Sequence, residues 1–179
     1  MFRLVYLLLL FLFFSCGKSQ ERQSNFNQSK IQKIDKFKSI EMNKLWVKDE
    51  IFKIDQYCLR YGWNMIVSKS GMRYQIIQSE NSAIKPIVGS EVTMSYDVRL
   101  MDSKQTKCYH SDSNGLAKFK VEKSLIESGI NEVVSMLSKG DSALVILPHH
   151  IAHGLTGDSK KIPPLSTVLY FIKILDVNE

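Results

Sequence analysis

The stretch LIESGINEVVSMLSKGDSALVILP, residues 125–148, decides the fold. Ile130, Val133, Val134 and Leu137 recur within it at steps of three and four, so Gly129–Ser138 reads as a short helix with one apolar face. Gly140 ends that helix, because the residue past a last turn often takes a left-handed conformation that glycine adopts freely. Ala143–Leu147 then reads as a strand, closed by Pro148.

Working outward, the period is two almost everywhere. Val92, Met94, Tyr96, Val98 and Leu100 alternate, forming the clearest strand in the chain. Asp102–Gln105 is a polar turn, and Phe119 and Val121 mark a short strand. Trp63, Met65 and Val67, then Met72, Tyr74 and Ile76, alternate on either side of Ser68–Gly71, which is a hairpin signal. Asn81–Pro86 is a loop, and His149–Pro164 is a longer one that ends in Pro163-Pro164. A final strand runs from about Ser166 to Val177. Strands, one short helix and strands again, without βαβ alternation, imply an α+β fold: a twisted antiparallel sheet wrapped on one short helix. An extra N-terminal helix and the hairpin precede it.

That extra helix is expected over Ile40–Tyr61, with Gly62 as its stop. Val47, Ile51, Ile54, Cys58 and Tyr61 lie on one face; Leu45, Phe52 and Leu59 lie on another. Either one groove takes both stripes, or the second stripe meets a partner or another copy of the chain.

A length of 179 residues suits one domain with accessories, and 44% hydrophobic residues exclude a wholly disordered chain. The net charge of +6 is localised: thirteen Lys/Arg face seven Asp/Glu between Gly17 and Lys85, against ten and eleven from Pro86 onward. The folded-looking half is near neutral, so it lacks the basic footprint of a nucleic-acid-binding domain.

Met1–Ser15 has Arg3 followed by an apolar run from Leu4 to Phe14, too short to span a bilayer and shaped like a signal peptide. Ser15-Cys16-Gly17 resembles a bacterial lipobox, with Phe13 standing where leucine is usual; the alternative is an ordinary cleaved signal peptide with a chance cysteine. The resemblance implies lipidation of Cys16 and a protein anchored to a membrane outside the cytoplasm, facing the periplasm or the cell surface. Residues 16–39 read as a flexible tether, residues 40–85 as the helix and hairpin extension, and residues 86–179 as the main domain. Cys58 and Cys108 remain; an oxidising compartment permits a disulfide between them, but two free, buried or half-buried thiols fit their surroundings better.

Phosphate loops, Cys-x-x-Cys pairs and serine nucleophile motifs are missing from the sequence. Cys108 and His110 could form a nucleophilic pair, but nothing nearby activates it. His149, His150 and His153 could hold a transition metal; Pro148 and Gly154 bracket them, so a loop with surface histidines is the plainer reading.

The order Val92-x-Met94-x-Tyr96, Cys108-Tyr109-His110, Phe119-x-Val121, Ile126-Glu127-Ser128-Gly129-Ile130, Gly140-Asp141, Ala152-His153-Gly154, Ile162-Pro163-Pro164 and Leu169-Tyr170-Phe171 resembles the FKBP-type peptidyl-prolyl isomerase domain over about 90 residues. Helix, hairpin and lipobox together resemble the gliding-motility-associated, FKBP-type lipoproteins of Bacteroidota. The resemblance implies an apolar pocket, lined by Tyr96, Ile126, Ile162 and Tyr170, that binds Xaa-Pro segments of client proteins. Glu127 would supply a backbone N–H to a ligand carbonyl. Three positions depart: Ile130 replaces a tryptophan floor, His153 replaces a tyrosine, and Cys108-Tyr109 replaces a Phe-Asp pair. The change at His153 forfeits a ligand hydrogen bond of about 1 kcal/mol. Weak to moderate isomerase activity is therefore expected, needing neither metal nor cofactor. The rival reading is a non-catalytic binding or scaffold module in an envelope complex, gripping a partner through Leu45, Phe52 and Leu59.

Overall fold

The computed structural model describes residues 18–178. Its first element, α1, is a 44-residue helix over Lys18–Tyr61, so it includes most of the stretch expected as a tether. The physical reason is visible in composition: between Lys18 and Tyr61 there is no glycine and no proline, and Lys, Gln, Glu and Arg are good helix formers. Met1–Ser15 and Cys16 lie outside the described residues. No helix among the described residues is long and apolar enough to cross a membrane. Contacts divide the chain into two units between Lys48 and Asp49.

Gly62 stops α1 as expected. It sits at φ +66°, its N–H donates to Leu59 O at 3.2 Å, and the Trp63 N–H donates to Cys58 O at 2.9 Å. Those two bonds are a Schellman cap. The elements that follow are β1 (Ile66–Val67), β2 (Arg73–Gln78), β3 (Glu91–Leu100), β4 (Lys107–His110), α2 (Ser111–Asn114), β5 (Ala117–Lys120), α3 (Ser128–Met136), β6 (Ser142–Leu147) and β7 (Val168–Asn178). β1 is shorter than its alternation implies, because Trp63 and Met65 turn in to pack beneath α1.

The described strands form one seven-stranded antiparallel sheet in the order β1-β2-β6-β7-β3-β4, with β5 also paired to β3. β4 takes the Asp97–Arg99 part of the β3 edge and β5 takes the Glu91–Met94 part. The short α2 bridges the gap between them, started by the Asp112 N–H bonding His110 Nδ1 at 3.1 Å.

Successive strand residues face opposite ways, so β6 and β7 supply two clusters. Val145, Leu147, Tyr170 and Ile172 join Ile130, Val133, Val134 and Leu137 of α3. Ile146 and Leu169 point to the other face and meet Ile54, Tyr57 and Cys58 of α1. The stripe of Leu45, Phe52 and Leu59 is not swallowed by any groove: these residues are 57%, 61% and 74% exposed. Cys58 and Cys108 are both buried free thiols.

Asp141 joins α3, β2 and β6. Its Oδ2 accepts the Ser138 N–H at 2.9 Å, and its Oδ1 accepts the Ser79 hydroxyl at 2.8 Å and the Glu80 N–H at 3.1 Å. Burial works against its charge, but these donors outweigh burial and hold the carboxyl below the usual range.

Candidate functional site

The nine residues of α3 rise only about 14 Å, whereas the ten residues of β3 extend about 33 Å. A helix that short cannot cover the whole face. The uncovered part is a cavity of about 420 Å³. Its apolar wall comes from Met94, Tyr96 and Val98 of β3, Phe119 of β5, Ile130 of α3 and Tyr170 of β7. Ile126, Glu127, His153, Tyr109, Asp158 and Lys160 line the rest.

Two polar clusters sit on this apolar base. In the first, the buried Tyr170 hydroxyl donates to Glu127 Oε1 at 3.2 Å. His153 Nε2 lies 3.1 Å from the same oxygen, which is ion-pair distance, but off the line of a hydrogen bond; this buried nitrogen has no hydrogen-bond partner among the described residues. Burial first, and then the Glu127 charge, push the Tyr170 hydroxyl well above its ordinary pKa. The second cluster is built on Asp158. Its Oδ1 accepts the N–H groups of Lys160, Lys161 and Ile162 at 2.9, 2.9 and 2.8 Å, and its Oδ2 accepts the Tyr109 hydroxyl. Burial opposes the Asp158 charge, but the phenol and the three N–H groups prevail and hold it well below the carboxylate range. The same bond to Asp158 pushes Tyr109 up to about 12.

Gly157 makes this loop possible. A Cβ there would lie 2.1 Å from Ile162 O, and the residue stands at φ +68°. At the other wall, Glu127 is the N-cap of α3, and its N–H meets no acceptor among the described residues. A free N–H beside an apolar chamber is a ready hydrogen-bond donor for a carbonyl entering the cavity.

A family model for FKBP-type peptidyl-prolyl cis-trans isomerase matches residues 82–175, just over half of the chain. The chain belongs to that family. The antiparallel sheet on a short helix is the FKBP-like α+β fold, here carrying α1 and the β1–β2 hairpin as additions.

Of the residues singled out from the FKBP-type pattern, Tyr96, Tyr109, Ile126, Glu127, Ile130, His153 and Tyr170 all border the cavity. Ile162 does not. It is 2% exposed, packs into the core, and its N–H is spent on Asp158. Met94 and Val98 also line the cavity, and their alternation with Tyr96 on one face of β3 is the sequence signal that marks them. Asp158 has no such signal: its partner Tyr109 is 49 residues away in sequence. The carboxylate of Glu127 matters more than its backbone role suggests, since it faces both Tyr170 and His153.

The three loop histidines do not cluster together. His153 lies at the cavity, while the buried His149 and the exposed His150 lie beside Glu50 of α1. A Cys108 nucleophile is also not supported. Burial pushes its thiol above the ordinary pKa, and it lies 3.7 Å from the carbonyl oxygens of Thr106 and Lys161.

Proposed function

We propose that this FKBP-type chain is a lipid-anchored peptidyl-prolyl isomerase that acts outside the cytoplasm on exported or surface proteins. The observation that carries the isomerase reading is the 420 Å³ cavity with an apolar base and, at its wall, the Glu127 N–H that meets no acceptor among the described residues. Rotation about an Xaa-Pro bond has a barrier of about 18–20 kcal/mol because the planar amide is resonance-stabilised. The twisted amide has less charge separation than the planar one. An apolar, water-poor chamber therefore disfavours the planar form relative to the twisted one. In this reading the Glu127 N–H holds a client carbonyl, and Tyr96 and Tyr170 flank the proline. No covalent step is required, and no metal or cofactor.

The anchor is supported by the apolar run Leu4–Phe14 followed by Cys16. The resemblance to gliding-motility-associated lipoproteins supports clients at the cell surface. A second reading, a binding or scaffold module, is favoured by one observation: Leu45, Phe52 and Leu59 are exposed along α1.

The test is refolding of a denatured protein whose slow phase is prolyl isomerisation, with the full chain present in trace amounts. Acceleration by the wild type that is mostly lost in Tyr96→Ala and Tyr170→Ala supports the enzyme. An unchanged slow phase with the wild type leaves the binding module. In cells that express the full chain, Cys16→Ala should move the protein out of the membrane fraction.

A further inference from the structure

Glu50, His149 and His150 lie together on the far side of the loop that carries His153. One ligand atom from each lies within 4.8 Å of the other two. They come from two separate parts of the chain: α1 supplies the carboxylate, and the 3₁₀ turn His149–Ile151 after β6 supplies both imidazoles. We propose that they form a binding site for a borderline divalent transition ion, of which zinc is the representative.

The donor set suits such an ion and not a hard one. Imidazole and carboxylate bind zinc at about 2.0–2.2 Å, whereas magnesium and calcium prefer oxygen alone. Ligand atoms around a tetrahedral zinc stand about 3.3 Å apart, so a 4.8 Å spread closes with a small movement. His150 can make that movement, because it is exposed.

The surroundings already hold the ligands as a metal site would. Glu50 Oε1 is fixed by the His149 N–H at 2.8 Å and the Thr167 hydroxyl at 2.7 Å. Oε2 is left facing His149 Nδ1 at 2.7 Å. The Ser70 carbonyl accepts from His150 Nε2 at 3.0 Å, which leaves the lone pair on Nδ1 of the neutral ring. A histidine whose second nitrogen donates to an oxygen is the usual arrangement around bound zinc. The two rings meet edge to face at 5.7 Å. On binding, the one proton of the neutral His149 ring moves from Nδ1 to Nε2, which frees Nδ1 and Glu50 Oε2 for the ion, and water completes the coordination. The ion would then clamp α1 to the loop leading into the cavity wall.

The experiment uses the full chain stripped with chelator and dialysed against zinc chloride. One zinc per chain is expected to remain, with a rise in melting temperature. Magnesium and calcium chloride should give neither. Cobalt substitution should give visible absorption bands of a low-symmetry, tetrahedral-type site. His150 is exposed, so His150→Ala should fold normally, yet weaken zinc binding by at least the roughly 10–100-fold that outer-shell partners carry. His153→Ala should keep its zinc. Failure of the wild type to retain stoichiometric zinc overturns the proposal, leaving Glu50–His149 as a plain structural bond. So does retention that survives His150→Ala.

Discussion

On one face of the sheet, α3 packs with Val145, Leu147 and Tyr170 and leaves part of the surface bare. On the other face, α1 packs Ile54, Tyr57 and Cys58 against Ile146 and Leu169. Both faces bury aliphatic residues from the same two strands. The difference lies in what borders them. The α1 face is shut by the rings of Tyr57, Tyr61 and Trp63, with centroids 4.6–5.7 Å apart, and by the buried Arg73 reaching Asp55 at 2.9 Å. The α3 face is bordered by the loop around Asp158, whose carboxylate accepts three N–H groups of that loop and the Tyr109 hydroxyl of β4. A chamber thus arises where a short helix meets a loop stiffened from within, and a solid core arises where a longer helix lies on the strands.

Equivalent truncations on the two faces should test this most strongly. Ile54→Ala is expected to lower unfolding free energy by about 2–5 kcal/mol in urea titration. It should leave isomerase activity per folded molecule unchanged. Ile130→Ala should lose less stability, because its side chain already borders open space, and should lose most of the activity. Equal stability losses, or activity lost through Ile54→Ala, would break the contrast.

Asp141 sharpens it on the α3 side. Asp141→Asn should lose roughly 1–3 kcal/mol, since the amide nitrogen replaces one accepting oxygen and leaves at least one of the three donors unpaired. The folded carboxyl titrates below its unfolded value, so its contribution is present above the unfolded pKa and disappears as pH falls through the folded one. Urea midpoints taken from about pH 7 down to pH 2 should therefore drop less steeply in the variant than in the wild type. A parallel acid limb in both would count against the role given to Asp141.

The smallest effect is expected outside both cores. Leu59 is 74% exposed, so Leu59→Lys should change stability by no more than about 0.5 kcal/mol. A drop of several degrees in melting temperature would mean that this stripe is covered in solution.

Much of this architecture was legible because period and punctuation agreed. The apolar steps from Ile130 to Leu137, the alternation from Val92 to Leu100 and the stop at Gly62 each follow from local geometry. Tyr96, Tyr109, Ile126, Glu127, Ile130, His153 and Tyr170 border the cavity, whereas the Ile162 side chain lies in the core and its N–H bonds Asp158, a loop contact that leaves no periodic signal. β4 escaped notice because Cys108 and Tyr109 lie between polar residues with no alternation long enough to count. The true start of α1 was hidden because polar helix formers look like linker when only apolar spacing is followed. The Glu50–His149 pair has no local signal at all, since the bond joins residues 99 positions apart.

The strand order carries one further consequence, for synthesis. β7 comes last of the seven strands, yet it lies in the middle of the sheet, bonded to β6 on one side and to β3 on the other. Until Val168–Asn178 has left the ribosome, the hairpin with β6 and the group around β3 are two sheet fragments with no strand in common. Each exposes the edge that β7 will fill, which leaves the nascent chain open to chaperones and to threading. Such long-range pairing is slow to form. The domain therefore closes in one late event, not layer by layer as the chain emerges.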